Sequence, residues 1–459
     1  MRCWSRRSVL AAGIGLAGCA TLDRSPLEQL YGAVSRPAGQ PPVILIPGAF
    51  GSILRDRATG RELWPVSDSK LLLDDYKELG LPINPVTLEP EPGQAEAQAV
   101  LRSGLGRDFY GGLLETLQRV GGYQRCRASH APGSSAPCDL YEYVYDFRLD
   151  NLRAAAGLGA LIESIRLEHG DPRLRVDIIA HSNGGLVARY FERYGSRAPA
   201  ADGALAPSYE GARAIRRLLL VGTPSLGTLQ PVLSLLRGEE IGLRRIPPEV
   251  VATCPGITQL MPFPRVPWLV DLQGNVIAAD LYDVATWREF GWSLFDPHIA
   301  ERVVAGHGGG AGGRAYLGRL REFLGRSLAQ GRGFAESFAA FPDSPEVPTW
   351  VFGGDCEPTL ARLAVESAAG KLHARESPTA IAAPGRHACA DVMFEPGDAV
   401  VTRSSLLGRY ALDVAAPRTG DESLRIAHAM FICSRHQRLT GNATLLDNLL
   451  HALLSSDAA

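Results

Sequence analysis

The sequence predicts an α/β fold, a mostly parallel central sheet with helices on both faces and large insertions. Three observations carry this. Short apolar runs rich in Val, Ile and Leu, at 42–46, 176–179 and Ile215–Val221, alternate with helical periodicity at 109–120 and 152–169, the rhythm of βαβ units. The runs are mostly apolar, interrupted by Asp177 and by Arg216-Arg217, which suits strands covered on both faces. One of them passes without a gap through Ala180-His181-Ser182-Asn183-Gly184-Gly185 into a helical pattern at Leu186-Val187 and Tyr190-Phe191. Small residues two before and two after Ser182 suit a tight strand-to-helix turn that thrusts the serine outward, a nucleophile elbow with alanine in place of the usual first glycine.

The chain of 459 residues can hold two or three average domains or one large core with insertions. Its 47 basic and 49 acidic residues are nearly balanced, which argues against an electrostatic nucleic-acid binder. With 46% apolar residues it can bury a sizeable core. The first 18 residues read as a signal peptide: Arg2 and Arg6-Arg7 precede a short apolar run at 9–17 that closes in Leu16-Ala17-Gly18-Cys19. Ser5-Arg6-Arg7-Ser8-Val9-Leu10 resembles a twin-arginine export signal. Leu-Ala-Gly-Cys resembles the lipobox of bacterial lipoproteins, with Cys19 the lipidated first residue of the mature chain and 19–40 a tether. The expectation is an exported bacterial lipoprotein, anchored to a membrane and facing the periplasm or the cell surface. Export permits disulfides. Cys126 and Cys138, flanking a Gly/Ser/Pro loop, are the first expected pair and Cys356 with Cys389 the second; with no Cys-x-x-Cys spacing, no zinc site is expected.

The expected core domain spans 41–455. Its first strand ends in Pro47-Gly48-Ala49-Phe50-Gly51-Ser52, a small turn able to aim a backbone N–H into a site. A polar insertion follows at about 53–100, with a Leu71-Leu72-Leu73 cluster. The stretch 140–149 alternates like a strand leading into a charged turn. The segment 228–345, carrying Trp268, Trp287, Trp292 and a Gly-rich run at 305–313, is too long for a loop and too apolar for a linker, and reads as a cap. The core resumes at 347–354, is interrupted again at 356–396, and closes with a strand at about 424–433 and a helix, Ala443–Leu454.

A serine needs a base, and the base an orienting acid. In α/β-hydrolases the chain order is Ser, acid, His. His436, just past the last strand, is the candidate base; His428 within that strand, His451 on the closing helix and His387 in an insertion are poorer placements. Two acids compete, Asp355 directly after the 350–354 strand and Asp398 in Gly397-Asp398-Ala399-Val400-Val401.

These pieces resemble the lecithin:cholesterol acyltransferase family, which includes a lysosomal phospholipase A2 and phospholipid:diacylglycerol acyltransferases. Pro42 to Leu54 is similar to the family's opening strand and oxyanion turn. Tyr145-Asp146-Phe147-Arg148 resembles its Tyr-Asp-Trp-Arg motif, Ala180 to Gly185 its serine elbow, and Gly397 to Val401 its Gly-Asp-Gly-Thr-Val motif, with Ala399 and Val400 departing from it. The resemblance implies an α/β-hydrolase fold and a catalytic Ser182–Asp398–His436 triad, so it favours Asp398 over Asp355. It implies oxyanion donors at the backbone N–H groups of Ala49 and Asn183, and a structural Asp146/Arg148 pair. It further implies a lipid acyl hydrolase or O-acyltransferase, working through an acyl-Ser182 intermediate without cofactor or metal. The rival readings are an esterase of short-chain or non-lipid esters and, further off, a non-catalytic lipid-binding surface lipoprotein.

Overall fold

The computed structural model describes residues 27, 31, 40–65, 75–91, 93–104, 106–126, 138–197, 206–339, 341–368, 370–382, 386–410 and 424–455. The signal peptide, Cys19 and the Leu71-Leu72-Leu73 cluster lie outside them. Six strands form the central sheet: β1 (Val43–Ile46), β2 (Leu140–Glu142), β3 (Val176–His181), β4 (Ile215–Val221), β5 (Thr349–Gly354) and β6 (His428–Ile432). Their order is β6-β5-β4-β3-β1-β2, and every pairing is parallel.

Period-two geometry divides the strand side chains between two cores. Ile44, Ile46, Ile178, Ala180, Leu218 and Leu220 enter one, under α2 (Asn151–His169) and α3 (Asn183–Tyr194). Val43, Leu45, Ile179, Leu219 and Val221 enter the other, under α1 (Gly111–Arg119) and α6 (Ala443–Leu454). Both faces are therefore covered, which is why the strands read as mostly apolar runs; of the charges that interrupt them, Asp177 and Arg216 pair with each other. Asp150 caps α2 by accepting from Leu152 N at 2.8 Å, and Gly170 ends it in a left-handed conformation.

Two strands are shorter than the sequence implies. β2 stops at Glu142, because 143–149 leave the sheet as a turn, and β6 begins only at His428. The expected tether is not free throughout its length. Leu27 is buried among the α1 and α6 side chains, and the Tyr31 hydroxyl donates to the Asp447 carbonyl (3.0 Å) and Oδ1 (2.9 Å) on α6.

The insertion after β1 folds as an antiparallel sheet of Ser52–Asp56, Glu62–Trp64 and Ala95–Val100. The segment after β4 contains α4 (Gln230–Arg237), a hairpin of Glu239–Ile241 with Arg244–Ile246, and several helices, the longest being α5 (Gly310–Ala339). The Gly-rich run separates α5 from the helix Pro297–Gly306, with Gly308, Gly309 and Gly310 all at positive φ. Trp268 and Trp287 each pack edge-on against Trp292 within this segment. Leu269–Val270 pairs in parallel with Leu363–Ala368 of the 356–396 insertion, so the two late insertions share a sheet.

Candidate active site

β3 delivers Ser182 at its carboxyl end, where ligands bind in open parallel sheets. Ser182 sits at φ 53°, ψ −123°, a conformation that L residues rarely adopt. The turn can be this tight because Gly184 has no side chain: a Cβ there would lie 2.6 Å from the Pro47 carbonyl oxygen and 2.7 Å from that of Ile46. Ser182 is thereby held against the turn leaving β1, at the N-terminus of α3.

His436 follows β6 and opens a 3₁₀ turn, His436–Gly441. Its Nε2 lies 3.0 Å from Ser182 Oγ and its Nδ1 2.8 Å from Asp398 Oδ2. Asp398 is fully buried, and its Oδ1 accepts from the backbone N–H groups of Val400 (3.0 Å) and Val401 (2.7 Å). With these donors the carboxylate needs no further partner, and the His436 N–H donates to the Asp398 carbonyl at 2.8 Å. Ala399 occupies φ 75°, the left-handed region that a glycine would enter without strain. Asp355, the competing acid, pairs instead with Arg403 at 3.4 Å. His428 is exposed and stacks near Trp350, with ring centroids 4.5 Å apart; His451 is exposed on α6; the His387 side chain is outside the described residues.

The turn after β1 is braced from several sides. Gly51 N donates to the Gly48 carbonyl (3.0 Å) across Phe50, which takes φ 61°. Trp64 Nε1 donates to the Phe50 carbonyl (2.7 Å), and the Tyr145 hydroxyl to the Pro47 carbonyl (3.0 Å). Asn183 Nδ2 in turn donates to the Tyr145 hydroxyl at 3.0 Å, which links the two turns. Ala49 borders the same cavity as Ser182, and the N–H of Asn183 begins α3, where the first amides have no intrahelical acceptor. Arg148 grips Asp146 with two parallel bonds, 2.9 and 2.7 Å, and donates to the Leu79 carbonyl (3.2 Å).

Tyr110 and His181 belong to the site although the sequence assigns neither a role; His181 stands inside the serine elbow, and no motif marks Tyr110. Gly48 N donates to the Tyr110 hydroxyl at 2.8 Å, and that hydroxyl lies 2.7 Å from His181 Nδ1. With the phenol proton given to Nδ1, His181 carries its own proton on Nε2, which is buried without a partner. Burial, followed by the charge of His436, pushes the His181 pKa down to about 3, so this ring stays neutral beside His436, 5.0 Å away between centroids. Phe109 immediately before Tyr110 offers an apolar side chain to the cavity.

The cavity in front of Ser182 measures about 440 Å³. Phe50, Trp64, Leu101, Ile257, Leu260 and Val400 supply apolar wall; Gln230, Ser234 and Glu239 supply polar groups. A narrow apolar void bounded by Leu79, Phe147, Val250 and Val251 adjoins it, sharing Phe50, Ser234, Glu239 and Ile257. Among the described residues no cluster of three or more His, Cys, Asp or Glu is arranged to hold a metal ion.

Two disulfides lie at opposite ends of the parallel strands, Cys126–Cys138 just before β2 and Cys356–Cys433 just after β5 and β6. Cys126 pairs with Cys138 as expected. Cys356 pairs with Cys433 and not with Cys389, which is buried and outside any disulfide. The reason lies in the sheet: Gly354 stands opposite Ile432 in the β5–β6 register, so the chain leaves both strands side by side.

A parallel sheet in this order, with a strand-to-helix serine turn and an acid and a histidine following later strands, defines the α/β-hydrolase fold. The structure is similar to that of Tle4 in a Tle4–Tli4 complex, at 16% identity and a TM-score of 0.54, covering 91% of this chain and 98% of that one. More distant likenesses are a Bacillus licheniformis lipase, BlEst2, in mature form (10% identity, TM-score 0.34, 92% and 95% covered) and EstA from Clostridium botulinum (13%, 0.37, 94% and 91%). The first speaks for the fold alone, and the other two are too remote to carry an argument. No family model matches the chain, and no curated protein matches it in sequence.

Proposed function

We propose that this chain is a serine-dependent lipid acyl hydrolase or O-acyltransferase. The observation that carries the reading is the hydrogen-bonded run from Asp398 through His436 to Ser182, opening on a largely apolar cavity. His436 Nε2 takes the Ser182 proton as Oγ bonds to an ester carbonyl carbon, while Asp398 holds the imidazolium. The carbonyl oxygen, now an anion, is received by the N–H groups of Ala49 and Asn183. Collapse expels the alcohol, which takes the proton from His436, and leaves an acyl-Ser182 ester. Water or an acceptor alcohol, deprotonated by the same histidine, then releases the acyl group and restores Oγ–H.

The apolar wall and its narrow extension favour an acyl chain over a small polar ester, and the motif resemblance to the lecithin:cholesterol acyltransferases points the same way. The membrane-facing part of the reading, export and lipidation at Cys19, rests on the leader sequence; the two disulfides fit an oxidising compartment. The test offers detergent-solubilised protein phospholipid micelles with a labelled acyl chain and excess fatty alcohol, with Ser182→Ala alongside. Label released as fatty acid or as alcohol ester, and lost in the variant, is the expected result, and the product ratio separates hydrolysis from transfer. Release that persists in Ser182→Ala refutes the mechanism.

A further inference from the structure

The mechanism above leaves several polar groups of the cavity without a task, Glu239 among them. Glu239 starts the hairpin that follows α4, and its side chain borders the same cavity as Ser182. Its Oε2 is fixed by the Gln230 amide (Nε2, 3.0 Å) and by the Ser234 hydroxyl, both on α4. Neither of these bonds uses Oε1. Of the nearby cations, Arg237 is ion-paired with Glu376 and acts on Glu239 only through its charge, Arg245 pairs with Glu240 at 2.7 Å, and the exposed Arg107 borders the same cavity without an ion pair to Glu239. The backbone is shaped to bring this carboxyl there: Gly238 turns at φ 90°, and a Cβ on it would meet the Ile246 carbonyl and the Arg245 side chain. Burial raises the Glu239 pKa, against the lowering effect of Ser234 and Gln230. A half-buried carboxyl in a mainly apolar cavity, with one oxygen held by the protein, leaves the other able to accept a hydrogen bond from whatever fills the cavity.

We infer that Glu239 is a specificity-determining residue that accepts a hydrogen bond from the alcohol part of the ester substrate, from a hydroxyl or an ammonium group. This rests on the ester reading of Ser182. An acyl chain has no donor to offer, so the alcohol moiety must supply it. The cavity therefore selects esters of polyols or amino alcohols over simple alkyl esters. Were Glu239 only a pin between α4 and the hairpin, the Gln230 and Ser234 bonds would be its whole role and substrate structure would not sense it.

The experiment compares esters of one acyl chain: a monoacylglycerol, the same compound with both free hydroxyls methylated, a lysophosphatidylethanolamine, and the methyl ester. The readout is each kcat/KM divided by that of the methyl ester within one protein, so a general loss of activity in a variant cancels. In the unaltered enzyme a donor-bearing ester is expected to exceed the methyl ester by about 10-fold or more, the usual worth of a hydrogen bond to a charged group. Glu239→Leu is expected to bring that ratio towards one. Glu239→Gln separates the sources: its amide oxygen still accepts from a hydroxyl, so a glycerol preference survives, whereas an ammonium preference is lost. The methylated glycerol ester makes the same deletion from the substrate side and needs no variant to fold. Equal ratios in the unaltered enzyme and Glu239→Leu, or an equal rate on methylated and free glycerol esters with no lysophosphatidylethanolamine preference, overturn the inference alone. Failure of the unaltered enzyme on all four esters overturns the ester reading, and this inference with it.

Discussion

Replacing His181 with phenylalanine removes a buried titrating group next to the candidate nucleophile, and its effect on stability should depend on pH. The folded pKa, near 3, lies far below the value of about 6.5 for an exposed imidazole. The folded state therefore binds fewer protons than the unfolded chain between these values, and stability falls as the pH drops through about 6.5 towards 3. From pH 8 to pH 5 the loss attributable to His181 is about 2 kcal/mol, nearly all of it below pH 6.5. The assay is urea unfolding at several pH values with disulfides intact, and the quantity read is the difference between the unaltered protein and His181→Phe. The variant's lost contact with Tyr110 shifts that difference by a constant; the titration appears as its slope. Glu192, whose pKa burial and Asp343 hold well above the usual carboxylate range, tilts the curve the other way, but equally in both proteins. Curves that stay parallel within about 0.5 kcal/mol from pH 8 to 5 would refute the reasoning.

The remaining expectations concern the acid, the base and the cross-link. Asp398→Asn should lower kcat by about 10⁴-fold with little change in KM, whereas Asp355→Asn, which loses only a partly exposed pair with Arg403, should stay within about threefold; steady-state kinetics on one ester decides between them. Gly222→Ala should lower kcat by about 10- to 100-fold, because Gly222 sits at φ 60° and a Cβ there would stand 3.1 Å from His436 Cε1 and Nδ1 and 3.0 Å from Leu439 Cδ1, displacing the ring from Ser182; an unchanged kcat counts against this dependence on ring position. Cys433→Ser opens a cross-link over a sequence separation of 77, which in the chain-entropy view costs about 4.5 kcal/mol. Its thermal midpoint should drop far more than that of Cys126→Ser, whose link spans only 12 and is worth about 3 kcal/mol.

Much of the framework is legible in the chain because it is local. The β1, β3 and β4 runs announce themselves by clustered Val, Ile and Leu, and the serine turn by small residues at fixed offsets. The Ser182, Asp398 and His436 side chains are the ones the structure brings into hydrogen-bonding reach, but choosing Asp398 over Asp355 needed a motif resemblance, since both follow turns near strand ends. What stayed hidden depends on which segments become neighbours. Cys433 meets Cys356 only because β6 lies beside β5, and nothing in the spacing of six cysteines encodes that. Tyr110 reaches Gly48 and His181 across 62 and 71 residues of sequence, from the start of an ordinary helix. The alternation at 140–149 reads like a longer strand because Tyr143 and Tyr145 are apolar rings that pack with the core while their hydroxyls donate to the Ala154 carbonyl on α2 and the Pro47 carbonyl after β1.

The docking of Leu27 and Tyr31 sets a range of operation. Between Cys19 and Leu27 the covalent chain can reach at most about 29 Å, however it is arranged. If Cys19 carries the lipid, the body is moored closely and swings through a radius comparable with its own size. Tyr31 is fastened to Asp447 on α6, and the 3₁₀ turn just before α6 supplies Gln437 and Thr440 to the rim of the cavity. With Cys19 lipidated, that attachment would hold the mouth of the cavity close to the bilayer that carries the anchor. Lengthening the chain ahead of Leu27 would enlarge that territory without touching a single side chain of the site.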